Sequence, residues 1–224
     1  MTTDRVFMRR IERPRALVYV PQEEGVSLPV LCFLHGAGEA ATDARGKAQP
    51  LDKVLTHRSP AWHAENGSPF ISRFIVVCPQ LDQRRRWDAS DAPWVDAIVD
   101  AAIEEHGGDS PRFIMTGFSL GGEGAFQIAH ASPRWSTIWA VDPAIQDGHV
   151  PGAPAGDARV WIHHGQQQPG AKNMAAFGAS LGLTPWVGNA QVRRVLTVLQ
   201  TDHPGACSAA YAEKHVYDWL RHGI

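Results

Sequence analysis

The chain has 224 residues, of which 44% are hydrophobic and 20% are charged, and its formal net charge is −2. A chain of this size can bury a sizeable core, so we expect one globular domain over residues 1–224. The near-neutral charge lacks the excess of basic residues that binding to nucleic acid or to an anionic membrane surface requires, and we predict neither as a partner. The amino terminus has no apolar signal-like region, and no apolar run is long enough to span a bilayer, so we expect a cytoplasmic protein.

Strand-like and helix-like segments alternate in the first half of the chain. Residues 5–12 and 15–21 are a plausible pair of starting strands. The runs over 29–36 and 73–80 are short and almost continuously apolar, which is typical of strands buried on both faces. Residues 93–108 carry apolar side chains at helical spacing and close with two glycines, which predicts a helix.

The second half continues the alternation and completes the predicted fold. We predict strands over 112–117, 136–142, 158–165 and 193–200, and helices over 122–132, 173–182 and 208–223. This order predicts an α/β fold in which helices flank a mostly parallel central sheet of about eight strands. The connection over 145–157 is short and rich in proline and glycine, so we expect no large lid.

A serine flanked by glycines lies where a predicted strand is followed by a predicted helix. Gly117-Phe118-Ser119-Leu120-Gly121 satisfies the pattern G-x-S-x-G in the strand–turn–helix setting of a nucleophile elbow. An ordinary glycine-rich turn is the alternative interpretation. In an elbow, Ser119 is the nucleophile, and the Leu120 amide at the helix amino terminus faces any negative charge that develops beside it.

An oxyanion hole needs a second donor, and the loop after the strand over 29–36 can supply one. Gly36 and Gly38 let this backbone turn inward and expose its amides. We predict the Ala37 amide as the donor, with the amides of Gly38 and Glu39 as close competitors. We interpret His35 as a structural hydrogen-bonding residue rather than a proton carrier.

The serine also needs a base, which follows the last strand when the chain order is that of an elbow enzyme. Of the eleven histidines, only His203 lies in that segment, and we predict it as the general base. We expect His215 and His222, on the closing helix, to be exposed.

These motifs resemble those of the α/β-hydrolases, and more narrowly the small esterase and predicted-peptidase group of dienelactone-hydrolase-like and polyhydroxybutyrate-depolymerase-like enzymes. The resemblance is carried by "FLHGAGE" (33–39), "IVVCPQ" (75–80), "GFSLGGEGAF" (117–126), "HHGQQQP" (163–169) and "TDHPGACSAAY" (201–211). It implies the α/β-hydrolase fold, with Ser119 as nucleophile, His203 as base and an oxyanion hole from Ala37 and Leu120. It also implies a small-molecule ester or thioester substrate and no metal or organic cofactor.

One loop departs from the pattern of that group, which usually reads H-G-x-x-D after the seventh strand. Here Gln168 stands at the expected acidic position, and an amide carries no charge to stabilise an imidazolium. Three explanations are open: the acid is Asp142, at the end of the preceding strand; Gln168 or a water orients His203 in a slower dyad; or the protein binds a ligand without turnover. Asp142 is our leading prediction, with a turn role before Pro143 as its alternative, and a peptidase is possible within the enzyme class.

Two further charged features have plain interpretations. The basic run Arg84-Arg85-Arg86 is typical of a solvated loop, with contact to an anionic substrate as the alternative. Glu123 lies in the first turn of the helix after Ser119, where the helix dipole favours a carboxylate. Contact with a cationic or hydroxylated substrate is the alternative for Glu123.

Overall fold

The strands of the computed structural model form one sheet in the order β1-β2-β4-β3-β5-β6-β7-β9-β8. The structure describes residues 5–22, 27–106, 112–146, 151–154, 157–167 and 171–222. The strands in this part of the chain are β1 (Arg9–Arg13), β2 (Ala16–Val20), β3 (Val30–Leu34), β4 (Ile75–Pro79), β5 (Phe113–Phe118), β6 (Trp135–Val141), β7 (Arg159–Gly165), β8 (Thr184–Pro185) and β9 (Arg194–Leu199).

Six α-helices connect or flank these strands within the described residues. They are α1 (Pro60–Glu65), α2 (Ala92–His106), α3 (Leu120–Ala131), α4 (Ala171–Ser180), α5 (His203–Ala210) and α6 (Lys214–His222). Shorter 3₁₀ segments lie at Leu51–Arg58, Ile71–Arg73 and Ala89–Asp91.

The sheet confirms the predicted architecture. From β4 to β8 every neighbouring pair is parallel, whereas β2 runs antiparallel to both β1 and β4. The mostly parallel sheet has nine described strands rather than about eight, because β8 adds a two-residue edge beside β9. A segment this short has no periodicity from which it could be predicted.

Side chains of the central strands alternate between two cores, one on each face of the sheet. In β3, Val30 and Cys32 pack into one core, while Leu31 and Phe33 pack into the other. Buried side chains of α2, α3 and α4 complete the first core, and those of α1, α5 and α6 complete the second. Burial on both faces explains why these strands are continuously apolar in sequence.

The carboxyl end of the chain differs from the prediction of one helix over 208–223. Two helices, α5 and α6, replace it, and the first begins at His203 rather than after a loop. The Asp202 side chain caps α5 by accepting a hydrogen bond from the Gly205 amide at 2.9 Å, and Pro204 lies in the first turn. This cap and a proline at the helix start are both favoured, so the helix begins earlier than expected.

Two expectations reach beyond what the structure describes. The connection over 145–157 is described only in part, so the absence of a lid stays a prediction, as does a single domain over residues 1–224. Among the described residues, no helix combines the length and the apolar character that crossing a membrane requires.

The start of α3 packs against the end of β3 with backbone in direct contact. A β-carbon added at Gly121 would collide with the Leu34 carbonyl group, and one added at Gly117 would collide with the Gly121 backbone. Both obstacles are main chain and cannot move aside as a flexible side chain can. The glycines of the motif therefore fix how closely the helix approaches the sheet.

We predict that Gly121→Ala lowers the free energy of unfolding by about 1–3 kcal/mol, because the added methyl group forces two backbone segments apart. The measurement is equilibrium unfolding in urea. Gly178→Ala is the matched control, since a β-carbon there meets only the Leu196 and Leu183 side chains at 3.5 and 3.7 Å. The control should be neutral or stabilising by up to about 1 kcal/mol. Equal stability of Gly121→Ala and the native protein would contradict the prediction.

Candidate active site

Ser119 occupies a backbone conformation that residues with a side chain rarely adopt. It lies between the last residue of β5 and the first residue of α3, with a φ of 58° and a ψ of −119°. The Ser119 amide donates to the Val141 carbonyl at 3.0 Å, and the Ser119 carbonyl accepts from the amides of Glu123 and Ala144, each at 3.1 Å. Strained conformations persist where surrounding contacts hold them, and they concentrate at functional sites.

His203 meets a buried carboxylate at the end of β6. Its Nδ1 lies 2.6 Å from Asp142 Oδ2, and Asp142 is only 1% exposed. A carboxylate can only accept, so Nδ1 carries a proton, and in the neutral ring the lone pair then lies on Nε2. This is the tautomer that a general base facing a serine hydroxyl requires.

Asp142 is held in place by strand β7 as well as by its own backbone. Oδ1 accepts hydrogen bonds from His164 Nδ1 at 2.9 Å and from the Gly165 amide at 3.1 Å. The Asp142 amide donates to the His163 carbonyl at 2.7 Å, and its φ is 45°. Both carboxylate oxygens therefore have donors, and one of them is His203.

His164 was not among the residues predicted for the site. A sequence signal that could have identified it is the pair His163-His164 at the carboxyl end of a buried strand, where functional residues of parallel sheets collect. Its Nε2 is buried and has no hydrogen-bond partner among the described residues. Gln168, the alternative partner for His203, lies outside the described residues.

The loop after β3 runs alongside the nucleophile. A β-carbon added at Gly36 would lie 3.4 Å from Ser119 Cβ and 3.5 Å from the Phe118 carbonyl oxygen. Within the described part of the chain, neither the Ala37 amide nor the Leu120 amide donates to a backbone carbonyl. Amides in this state, next to a serine, can stabilise a developing oxyanion.

His35 is a structural residue, as predicted. The ring is 1% exposed, with Nδ1 2.7 Å from the Gly36 carbonyl oxygen and Nε2 accepting from the Leu81 amide at 3.0 Å. Burial lowers the pKa of His35 to about 4, so the ring is neutral near pH 7. It fixes the start of the Gly36 loop against the segment that follows β4.

The basic run is not simply solvated. Arg85 pairs with the buried Asp91 at 2.5 Å, and Arg86 pairs with Glu123 and donates to Gln146 Oε1 at 2.7 Å. Glu123 lies in the first turn of α3, as the sequence indicated, and it is fully buried. Arg86 therefore compensates the Glu123 carboxylate, an arrangement that neither interpretation from the sequence included.

A cavity of about 710 Å³ opens beside the candidate oxyanion residue Leu120. Besides Leu120, its lining consists of the basic run with Gln83 and of residues Thr42, Asp43, Ala44 and Gly46. The cavity leaves room for a small molecule next to the Ser119 elbow.

Comparison with known proteins supports this geometry at the level of the fold. No protein-family model matches the chain. A putative dienelactone hydrolase from Klebsiella pneumoniae subsp. pneumoniae superposes with a TM-score of 0.65 at 15% identity, covering 92% of both chains. The chain is 26% identical over 148 residues to feruloyl esterase B of Thermothelomyces thermophilus, covering 61% of this chain but only 46% of that protein. The α/β-hydrolase fold predicted from the sequence motifs is confirmed.

We predict that His35 makes the protein less stable in acid. The pKa of His35 is about 4 in the folded state against 6.5 ordinarily, so the unfolded state takes up the proton first as pH falls. Stability is therefore lost between about pH 6.5 and 4. From pH 7 to 5 the native protein should lose about 2 kcal/mol more unfolding free energy than His35→Gln, measured in urea. Parallel pH curves for the two proteins would contradict the assignment.

Proposed function

We propose that this α/β-hydrolase-fold protein is a serine hydrolase that cleaves a small or medium ester or thioester through an acyl-enzyme. The observation that carries the proposal is the 2.6 Å contact between His203 Nδ1 and the buried Asp142 carboxylate, in a chain whose Ser119 has the elbow conformation. The likeness to a feruloyl esterase and to a putative dienelactone hydrolase supports ester cleavage.

The proposed reaction uses protein groups alone, without a metal or organic cofactor. Ser119 Oγ attacks the carbonyl carbon of the substrate while His203 Nε2 takes the hydroxyl proton. The carbonyl oxygen becomes an oxyanion, which the amides of Ala37 and Leu120 stabilise. His203 then protonates the departing alcohol or thiol, and an acyl-enzyme ester remains on Ser119.

The second half of the reaction releases the acid and restores the enzyme. His203 Nε2 takes a proton from a water molecule, whose oxygen attacks the acyl carbonyl carbon. Collapse of the second tetrahedral intermediate returns the proton to Ser119 Oγ. Asp142 stays ionised throughout, orienting the ring and stabilising the imidazolium, and His164 holds Asp142 as a positioning residue.

Two alternatives to an esterase, a binding protein and a peptidase, have different degrees of support. The alternative of a binding protein without turnover was raised because Gln168 stands at the expected acidic position, and the contact between His203 Nδ1 and the Asp142 carboxylate supports the hydrolase over it. A peptidase would use the same residues, so the preference for esters depends on the likeness to the two hydrolases. A cytoplasmic location stays a prediction.

We predict that Ser119→Ala lowers kcat/KM for p-nitrophenyl acetate by at least about 10³-fold, because no other group can form the acyl-enzyme. The same variant should lose covalent labelling by a fluorophosphonate probe, read by mass spectrometry. Ser72→Ala is the control, since Ser72 Oγ donates to the Pro69 carbonyl on the surface. Full turnover or labelling by Ser119→Ala would refute the mechanism.

We predict that Asp142→Asn lowers kcat on the order of 10³- to 10⁴-fold, because an amide favours the wrong tautomer of His203. Asparagine tolerates the positive φ at this position, so the fold should persist. Asp202→Asn is the matched control: it removes the same charge one residue from His203, but the Asp202 side chain caps α5 by accepting from the Gly205 amide. Steady-state kinetics of both variants provide the test, and equal losses would rule out a specific role for Asp142.

A further inference from the structure

Glu39 is a buried carboxylate at the end of the candidate oxyanion loop. It is only 7% exposed, although glutamate is seldom buried unless a partner compensates its charge. The mechanism proposed above uses at most its backbone amide, and its side chain has no part in that reaction. The contacts of its two oxygens show what the carboxylate lacks.

The hydrogen bonds that residues of the 3₁₀ segment Leu51–Arg58 offer to Oε1 only partly compensate its charge. Thr56 Oγ1 lies 3.2 Å from Oε1, but it also lies 3.1 Å from the Lys53 carbonyl oxygen, and a hydroxyl has one proton for both acceptors. His57 Nε2 lies 3.6 Å from Oε1, which is too long for a hydrogen bond.

Oε2 is buried and has no hydrogen-bond partner among the described residues. His35 Nδ1 is 4.0 Å away, and its proton is directed to the Gly36 carbonyl oxygen at 2.7 Å. A buried carboxylate oxygen in this state gains a hydrogen bond whenever a ligand brings a donor.

Oε2 lies close to the nucleophile, on the other side of Gly36. A β-carbon added at Gly36 would lie 3.1 Å from Oε2 and 3.4 Å from Ser119 Cβ. The distance between Oε2 and Ser119 Cβ therefore cannot exceed the sum of these two distances. A substrate group bound against Ser119 therefore lies close to Oε2.

Aromatic contacts indicate which part of the substrate that group belongs to. The His57 ring, whose nitrogen faces Glu39, packs against Phe118 with centroids 5.5 Å apart. Phe118 in turn packs against the His203 ring with centroids 4.4 Å apart. These contacts place the Glu39 carboxylate on the side of the site that holds His203. In the proposed mechanism, His203 protonates the departing alcohol on that side.

We infer that Glu39 Oε2 accepts a hydrogen bond from a hydroxyl group on the alcohol portion of the substrate, so that the preferred substrates are esters of diols or polyols. This inference rests on the proposed function. A hydroxyl has one proton to match the one open oxygen, whereas a primary ammonium brings three donors and a trimethylammonium brings none. A carboxylate on the substrate would be repelled by Glu39, and an apolar group would leave Oε2 unsatisfied.

The test compares three benzoate esters: 2-hydroxyethyl, propyl and 2-(trimethylammonio)ethyl. We expect the native protein to favour the hydroxyethyl over the propyl ester by about 10- to 100-fold in kcat/KM, as for a hydrogen bond to a charged acceptor. In Glu39→Gln, which keeps the shape and loses the charge, the ratio should fall severalfold or more. Asp52→Asn, an equal charge change on the surface of the 3₁₀ segment, should keep the native ratio.

Binding to Ser119→Ala repeats the comparison without turnover. Dissociation constants of the hydroxyethyl and propyl esters, measured by calorimetry, should show the same preference, and adding Glu39→Gln should reduce it. If the native protein hydrolyses none of the esters, the proposed function fails while the ratio of dissociation constants still tests Glu39. Equal affinity for both esters, a ratio unchanged by Glu39→Gln, or a preference for the trimethylammonio ester would each overturn the inference.

Discussion

The Asp142 carboxylate joins three separate parts of the fold. It projects from the end of β6, accepts two hydrogen bonds from the end of β7, and accepts a third from the first residue of α5. Because it is buried, each of these donors offsets part of the cost of removing its charge from water. Losing any one of them leaves a charged oxygen less well satisfied, so the ends of two strands and one helix are positioned together. The proposed chemistry depends on that arrangement, because it sets the tautomer and orientation of His203.

A second constraint is steric. The motif glycines let α3 begin in contact with the backbone that ends β3, which brings the Gly36 loop beside Ser119. The close approach of α3 to β3 and the position of the candidate oxyanion loop beside Ser119 therefore belong to one packing arrangement. His35 secures the loop from the other side through the Leu81 amide. Local backbone chemistry and tertiary packing here impose the same geometry, as consistent sequences do.

Much of the fold could be predicted because burial leaves a clear pattern in the sequence. The central strands are continuously apolar, and their order with the helices identifies a parallel sheet. The break between α5 and α6 and the edge strand β8 were missed because neither interrupts or extends a periodic pattern strongly. The start of α5 did have a signal in Asp202 and Pro204, but the segment was interpreted as a loop.

The candidate site was predictable only where a local motif carries it. Ser119 and His203 follow from short patterns and chain order. By contrast, whether Asp142 or Gln168 faces His203 depends on side-chain directions from different strands, which no spacing reveals. The same is true of the Glu39 side chain and of the Arg86–Glu123 pair, since both depend on contacts between segments far apart in sequence.

The position of Asp142, directly after β6, also has an evolutionary consequence. In the proposed arrangement Asp142 is the charged partner of His203, so selection on proton transfer does not require an acidic residue in the segment after Gly165. Three consecutive glutamines at 166–168 are compatible with that freedom. The backbone of this stretch is fixed, because the Gln166 and Gln167 amides donate to the Leu199 and Thr201 carbonyls just before His203. Its side chains are freer to change, so substitutions there could alter the surroundings of the candidate site while His203 and Asp142 keep their contact.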